Sequence, residues 1–255
     1  MDVTRVFALS VVALAVAAAG SPQDARQIME EAQKRTEARS QHYEGLLQVF
    51  DAKGKVSDKR WTFDRLGSHG TSKAVLRFSA PAEVKGVALL VVNHPERASD
   101  QWMWTPAIGR DRRIALQDRS TRFFGTDFSF EDLEERDVSQ YVYALDGDET
   151  IDGAPCWRVV ATPRRTKVSQ YTRSKVWVRK DNYAYAQVES FVRDEIARRL
   201  HYRQIEQVQG IWSARLLEMH DLRRKSRTLL TLEKLQYNVP MQESDFTLQA
   251  LRRER

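Results

Sequence analysis

The fold of this chain turns on residues 101–133, QWMWTPAIGRDRRIALQDRSTRFFGTDFSFEDL. Trp102 and Trp104 fall on one face of a short alternating run and Met103 on the other, and Ile114 and Leu116 mark a second run. Pro106 and Gly109 bracket the turn between them, while Arg110, Arg112 and Arg113 give the second piece a basic edge. Beyond Arg119 the alternation stops. Phe123, Phe124, Phe128 and Phe130 place four rings within eight residues at neither a helical nor a strand period. A loop with that much ring area must fold back onto an apolar surface. Ser129 as N-cap and Asp132 three residues on form an approximate capping box, which predicts a short helix around Leu133.

Working outward toward the N-terminus, the period is two. Leu47 and Val49, Trp61 and Phe63, and Leu76 and Phe78 alternate with polar neighbours, and Gly54, Gly67 and Gly70 mark turns. Residues 87–92 are apolar on both faces, so this strand should be covered on both sides. Further back, Ala25, Ile28, Met29 and Ala32 recur at i, i+3, i+4 and i+7. They predict a helix over residues 22–39, capped by Ser21 and leaning on a sheet through a thin stripe.

Toward the C-terminus, strands are expected at 141–145, 157–161, 175–179, 183–192, 200–208, 211–219 and 228–237, separated by turns such as Asp152-Gly153 and Gly210. Ser244 and Asp245 introduce a last short helix bearing Phe246, Leu248 and Leu251. The sum is a mainly β (α+β) chain of about ten or eleven strands, more than an open sheet holds without curling. The expected architecture is a strongly curved antiparallel sheet, an unclosed half-barrel covered by a few helices that fill its concave side incompletely.

The order of elements around the opening stretch resembles that of the LolA-like family of outer-membrane lipoprotein-sorting proteins, in the periplasmic branch associated with RND-type exporters. A Trp-rich strand, a Pro-containing turn, an Arg-rich strand ending RRIAL and then FFGTDFSFEDL carry the resemblance, joined by the late FTLQALRR at residues 246–253. It implies a LolA/LolB-like bent sheet over helices, with an apolar cavity for lipid or acyl chains and no enzymatic activity. The partners it implies are a lipid or lipoprotein acyl chain and an inner-membrane RND-type exporter.

The 255 residues, 42% hydrophobic, suit one large domain. Arg5 precedes a small and apolar run over residues 6–19, broken only by Ser10, and Ala17 and Ala19 offer a small-x-small cleavage pattern. Residues 1–20 are therefore expected to be a signal peptide, with an N-terminal anchor as the alternative, and residues 21–255 a single periplasmic domain. The one cysteine, Cys156, lies far from that processing site, so the lipidation of a bacterial lipoprotein is not expected. A lone thiol also excludes an internal disulfide and a Cys-based zinc site.

Local motifs for chemistry are missing. His42, His69, His94, His201 and His220 are scattered singly, and Ser68-His69 sits in a turn without a nucleophile elbow. Asp127, Glu131 and Asp132 are explained by a helix start. No nucleotide-binding glycine motif occurs, and no cofactor is expected. The net charge of +6 and the clusters at 110–113, 164–167 and 223–227 permit contact with anionic lipid headgroups. Nucleic-acid binding is not expected, because the aromatics alternate inside strands instead of lining one basic stripe.

The expected function is that of a soluble carrier or chaperone for lipids or acyl chains. The alternatives are an exporter accessory that binds no lipid and an envelope hydrolase. Candidate wall residues of the apolar cavity are Val49, Trp61, Phe63, Leu76, Phe78, Leu89, Trp102, Trp104 and Phe191. The candidate lid or plug is the N-terminal helix through Ile28 and Met29, together with Phe123, Phe124, Phe128 and Phe130.

Overall fold

A computed structural model describes residues 24–253; the expected signal peptide, and Ser21 and Pro22, lie outside the described residues. Helix α1 (Ala25–Lys34) starts at Asp24, which accepts from the Arg26 N–H while the Gln27 side chain returns to the Asp24 backbone. The four expected stripe residues, Ala25, Ile28, Met29 and Ala32, are its buried face. The helix ends at Lys34, earlier than expected, because Thr36 turns back to bond the Ala32 and Gln33 carbonyls and the chain then enters a strand.

Thirteen strands follow: β1 (Ser40–Phe50), β2 (Val56–Leu66), β3 (Lys73–Ala80), β4 (Ala88–Val92), β5 (Asp100–Thr105), β6 (Arg110–Arg113), β7 (Tyr141–Ile151), β8 (Ala154–Pro163), β9 (Arg173–Arg179), β10 (Tyr185–Val192), β11 (Glu195–Val208), β12 (Ile211–Asp221) and β13 (Ser226–Tyr237). Helix α2 (Leu248–Leu251) is the last element among the described residues. The strands form one sheet in the order β6-β5-β4-β3-β2-β1-β13-β12-β11-β10-β9-β8-β7. Every neighbouring pair is antiparallel, as in β1 with β13 through Leu47 opposite Leu230, and β6 and β7 remain as free edges. The sheet is strongly curved and unclosed, with more strands than the ten or eleven expected.

One correction concerns β6. The second strand expected around Ile114 and Leu116 is instead the basic segment Arg110–Arg113; Ile114 is buried just beyond it and Leu116 is exposed. An edge strand carrying arginines is protected against further pairing, which favours this register over an apolar one.

β6 and β7 are consecutive in the chain yet occupy opposite edges of the sheet, so residues 114–140 must cross the concave face. This strap carries the aromatic loop. Phe123 N–H donates to the Phe128 carbonyl, Thr126 N–H to the Phe123 carbonyl, and Arg122 pairs with Ser129 across the loop. Phe124 (φ 46°) and Gly125 (φ 77°) turn the backbone through the left-handed region, which explains why the rings follow no period. Phe123, fully buried, meets Trp61, Phe78, Phe124 and Phe130 with centroids 5.1–6.3 Å apart. Each such contact is worth about 0.5–1.5 kcal/mol beyond its buried area.

The concave side therefore holds two packed zones. The strap fills the half formed by β1–β5 and β13, with Leu47, Trp61, Leu76, Phe78 and Leu89 among its contacts. α1 covers the far half through Ile28 and Met29 against Val159, Val176, Val178 and Val188. On the convex side, Phe246 and Leu251 cover Ala88 and Leu90, giving β4 its second buried face as its double-sided apolar pattern required.

Candidate functional site

Between the strap and α1 the two packed zones do not meet completely, and a cavity of about 420 Å³ remains. Ligand sites commonly span roughly 300–1,000 Å³. Its aliphatic and aromatic wall comes from Phe63, Leu133, Leu200, Leu217, Leu230 and Leu232, with Trp61 and Phe128 at the strap end. Leu200 packs against both zones and so stands at their seam. Seven of the eight tyrosines of the chain also line it: Tyr43, Tyr141, Tyr171, Tyr183, Tyr185, Tyr202 and Tyr237. Tyrosine presents an apolar ring and a polar tip, so this wall can take both a hydrocarbon and a polar group.

The strap contributes a run of charges to the same cavity, Glu131, Asp132, Glu134, Glu135 and Arg136. Each of the four acids is held by a different part of the fold. Glu131 accepts from the Ser169 hydroxyl and from the Gln170 N–H at 2.8 Å. Asp132 accepts from Arg198 Nη1 at 2.5 Å and from the Tyr171 hydroxyl at 2.8 Å. Glu134 pairs with Arg119 and with Lys167 Nζ at 3.5 Å. Glu135 pairs with Arg65, accepts from Ser72 Oγ at 2.6 Å and lies 3.5 Å from His69 Nδ1. Burial pushes the Glu131 carboxyl above the usual range, against the bonds from Ser169 and Gln170. Burial first, and then the Asp132 carboxylate, drives the Tyr171 phenol well above its ordinary value. Buried charges are tolerable when paired and bonded in this way.

At the other end of the aromatic loop, Asp127 is fully buried and accepts from Ser226 Oγ (2.5 Å), Thr228 Oγ1 (2.7 Å) and Arg122 Nη2 (2.9 Å). These contacts stitch the strap to β13. Ser129 and Asp132 make the reciprocal contacts of the expected capping box, Asp132 Oδ2 accepting from the Ser129 N–H at 2.7 Å, and the turn they start is a single 3-10 turn, Glu131–Leu133.

A family model described as "Uncharacterized protein" matches residues 70–253. Among solved structures, the chain is similar to an outer membrane lipoprotein-sorting protein domain from Vibrio parahaemolyticus, at 26% identity and a TM-score of 0.85 over 90% of this chain and 98% of that one. A DUF1329 family protein from Desulfovibrio piger gives 26% identity and a TM-score of 0.85 over 89% and 97%. A LolA superfamily protein from Nitrosomonas europaea shares the fold, with 18% identity and a TM-score of 0.72 over 90% and 100%. The chain belongs to the LolA-like family. No curated protein sequence matches it. The resemblance of residues 101–133 and 246–253 to the LolA-like family is thus upheld at the level of the family, and the curved, open sheet is the LolA-like fold.

Within this LolA-like frame the expected site residues separate. Trp61 and Phe63 line the cavity, as does Phe128 of the strap. Leu76, Phe78 and Leu89 are buried on the concave side where the strap has already filled it, and Val49 is buried outside the cavity lining. Trp102 and Trp104 lie on the convex face with Phe246, Leu248 and Leu251, while Met103 and Gln101 face inward. The alternation was right and the inner face reversed: α2 supplies a second apolar layer, so a strand apolar on either face gives no inward direction. Phe191 lies outside the lining, with the Arg173 guanidinium 4.4 Å from its ring centroid. Of the lid residues, Phe123, Phe124 and Phe130 belong to the packed zone, and Ile28 and Met29 pin α1 to the far half.

Sequence reasoning missed the tyrosine wall and the charged part of the strap. A local signal existed in the alternation of Tyr141 with Tyr143 and of Tyr183 with Tyr185. Ser68 Oγ bonds the Ala38 backbone and His69 Nε2 lies 3.1 Å from the Gln33 carbonyl, so the two side chains serve separate contacts. Asp127 is absorbed by Ser226 and Thr228 and does not face the cavity. Among the described residues no group of three His, Cys, Asp or Glu is placed to hold a metal, and no helix is long and apolar enough to cross a membrane.

Proposed function

We propose that this LolA-like protein is a periplasmic carrier that takes the acyl part of a lipid or lipoprotein into the cavity between the strap and α1. The observation that carries the reading is the unfilled space at the seam of two packed zones, walled by Leu200, Leu217, Leu230 and the tyrosines. Burying an acyl chain yields about 0.8 kcal/mol per methylene, so about twelve methylenes give roughly 10 kcal/mol before the entropic cost of binding. No covalent step is needed. Support for the cargo comes from the Vibrio parahaemolyticus relative, described as a lipoprotein-sorting domain.

The signal-like residues 1–20 support the periplasmic location. We infer an RND-type exporter as partner only from what the resemblance of residues 101–133 implies, and the surface arginines 110, 112 and 113 suit anionic lipid headgroups. Native mass spectrometry of protein purified from the envelope without detergent exchange tests the reading. A bound amphiphile of defined mass is expected. Ligand-free protein that also fails to take up a fluorescent fatty acid would favour an exporter accessory with no cargo.

A further inference from the structure

The cavity wall is not electrically even. Three of its four strong cations are matched by carboxylates: Arg65 by Glu135, Arg198 by Asp132, and Lys167 by Glu134, which Arg119 also holds. Arg136 is different. Among the described residues it has no carboxylate at ion-pairing distance; its Nη2 donates to Ser174 Oγ at 2.9 Å and its guanidinium stands 5.4 Å from the Tyr141 ring centroid. Lys167 Nζ approaches the same ring at 5.8 Å, so two cations converge on Tyr141.

Burial works against the Arg136 charge, yet a guanidinium is basic enough to stay protonated. Tyr141, Tyr185 and Tyr202 line the cavity, and among the described residues their hydroxyls make no hydrogen bond to protein. A guanidinium has five donors, and here one protein acceptor is in place. A half-buried cation that lines a cavity with unmet donors favours an anion beside it.

We propose that Arg136, assisted by the hydroxyls of Tyr141, Tyr185 and Tyr202, receives an anionic headgroup, a carboxylate or a phosphate, of the amphiphile whose chain runs along Leu200, Leu217 and Leu230. This rests on the carrier reading and narrows it: the cargo lies with its acidic end at the C-terminal end of the strap, beside α1, and its hydrocarbon toward the aromatic loop. The carboxylates nearest in sequence do not contest the place. Asp132, Glu134 and Glu135 are already paired, and Asp137 accepts from the Ser139 N–H and hydroxyl.

The test compares amphiphiles with one sixteen-carbon chain and different heads, by displacement of a neutral environment-sensitive dye from the full chain stripped of lipid. The probes are palmitate, palmitoyl lysophosphatidate, hexadecanol and hexadecyltrimethylammonium. Charge-assisted bonds of this kind correspond to about 10–100-fold in affinity, so one or both anions should bind that much more tightly than hexadecanol, with the ammonium weakest. Which of the two anions binds more tightly identifies the head as carboxylate or phosphate.

Arg136→Gln should erase the preference while leaving hexadecanol affinity within about twofold, and Arg136→Lys should keep part of it. Should Arg136→Gln fail to fold, Tyr202→Phe and Tyr185→Phe, which remove one hydroxyl each, should each lower the anion preference alone. Equal affinity for anions and hexadecanol in the unmodified chain, or a preference untouched by these variants, overturns the headgroup assignment and leaves the carrier reading standing. Failure of every probe to displace the dye, or of the dye to bind, overturns both.

Discussion

Asp127→Ala should detach the aromatic loop from the sheet, and its cost can be worked from the contacts. The carboxylate is fully buried and satisfies Ser226 Oγ, Thr228 Oγ1 and Arg122 Nη2 at 2.5, 2.7 and 2.9 Å. Removing one partner of a buried, bonded charge costs about 3–5 kcal/mol. Arg122 keeps bonds to the Thr126 and Gly125 carbonyls and its side chain is 26% exposed, so it is not stranded, and the lower end of that range, about 3 kcal/mol, applies. At about 2–4 °C per kcal/mol for a chain of this size, the melting midpoint should fall by about 6–12 °C.

Circular dichroism gives the midpoint, and tryptophan emission follows the loop because Trp61 lies 6.3 Å from Phe123. Thr228→Val closes a double-mutant cycle with a coupling of about 1–2 kcal/mol, since the two side chains share a bond. A drop below about 2 °C, or a coupling near zero, would refute the idea that Asp127 ties the strap to β13.

Three further outcomes follow from the same geometry. Leu200→Trp fills the seam between the packed zones; displacing two methylenes of cargo costs about 1.6 kcal/mol, so fatty-acid affinity should fall more than about tenfold with the midpoint nearly unchanged, and unchanged affinity would put the cargo elsewhere. A Cβ at Gly45 would run into the Trp61 indole, so Gly45→Ala should cost about 1–3 kcal/mol in urea unfolding, and an unchanged midpoint would refute the close approach. The Asp100 carboxyl is held well below the usual range by Arg97 first, then by Arg113 and His94, against burial. Its folded form therefore binds a proton less readily than the unfolded chain, so its stabilisation is present above about pH 4 and is lost as pH falls below that. Asp100→Asn should melt lower at pH 7 and lose less on acidification than the unmodified chain, and parallel acid curves would sink the assignment.

The strand alternation, the four-residue stripe of α1 and the aromatic loop were legible in the sequence, because each depends on the period or capping chemistry of neighbouring residues. The open half-barrel followed from the strand count and the LolA-like resemblance from residues 101–133. Tertiary structure alone decided which face looks inward. α2, about 150 residues downstream in the chain, covers the back of β4 and β5 and turns Trp102 and Trp104 away from the cavity that they were expected to line.

It also decided that β6 and β7 are opposite edges, so that a segment resembling an ordinary loop becomes a strap across the concave face. The pairing of Asp132 with Arg198, of Glu135 with Arg65 and of Asp127 with Thr228 spans 66, 70 and 101 positions. Periodicity reports neighbours within a turn or a strand, whereas a charge finds its partner through the path of the whole chain. The cavity, and the guanidinium of Arg136 in its wall, left without an acid among the described residues, exist only once that path is closed.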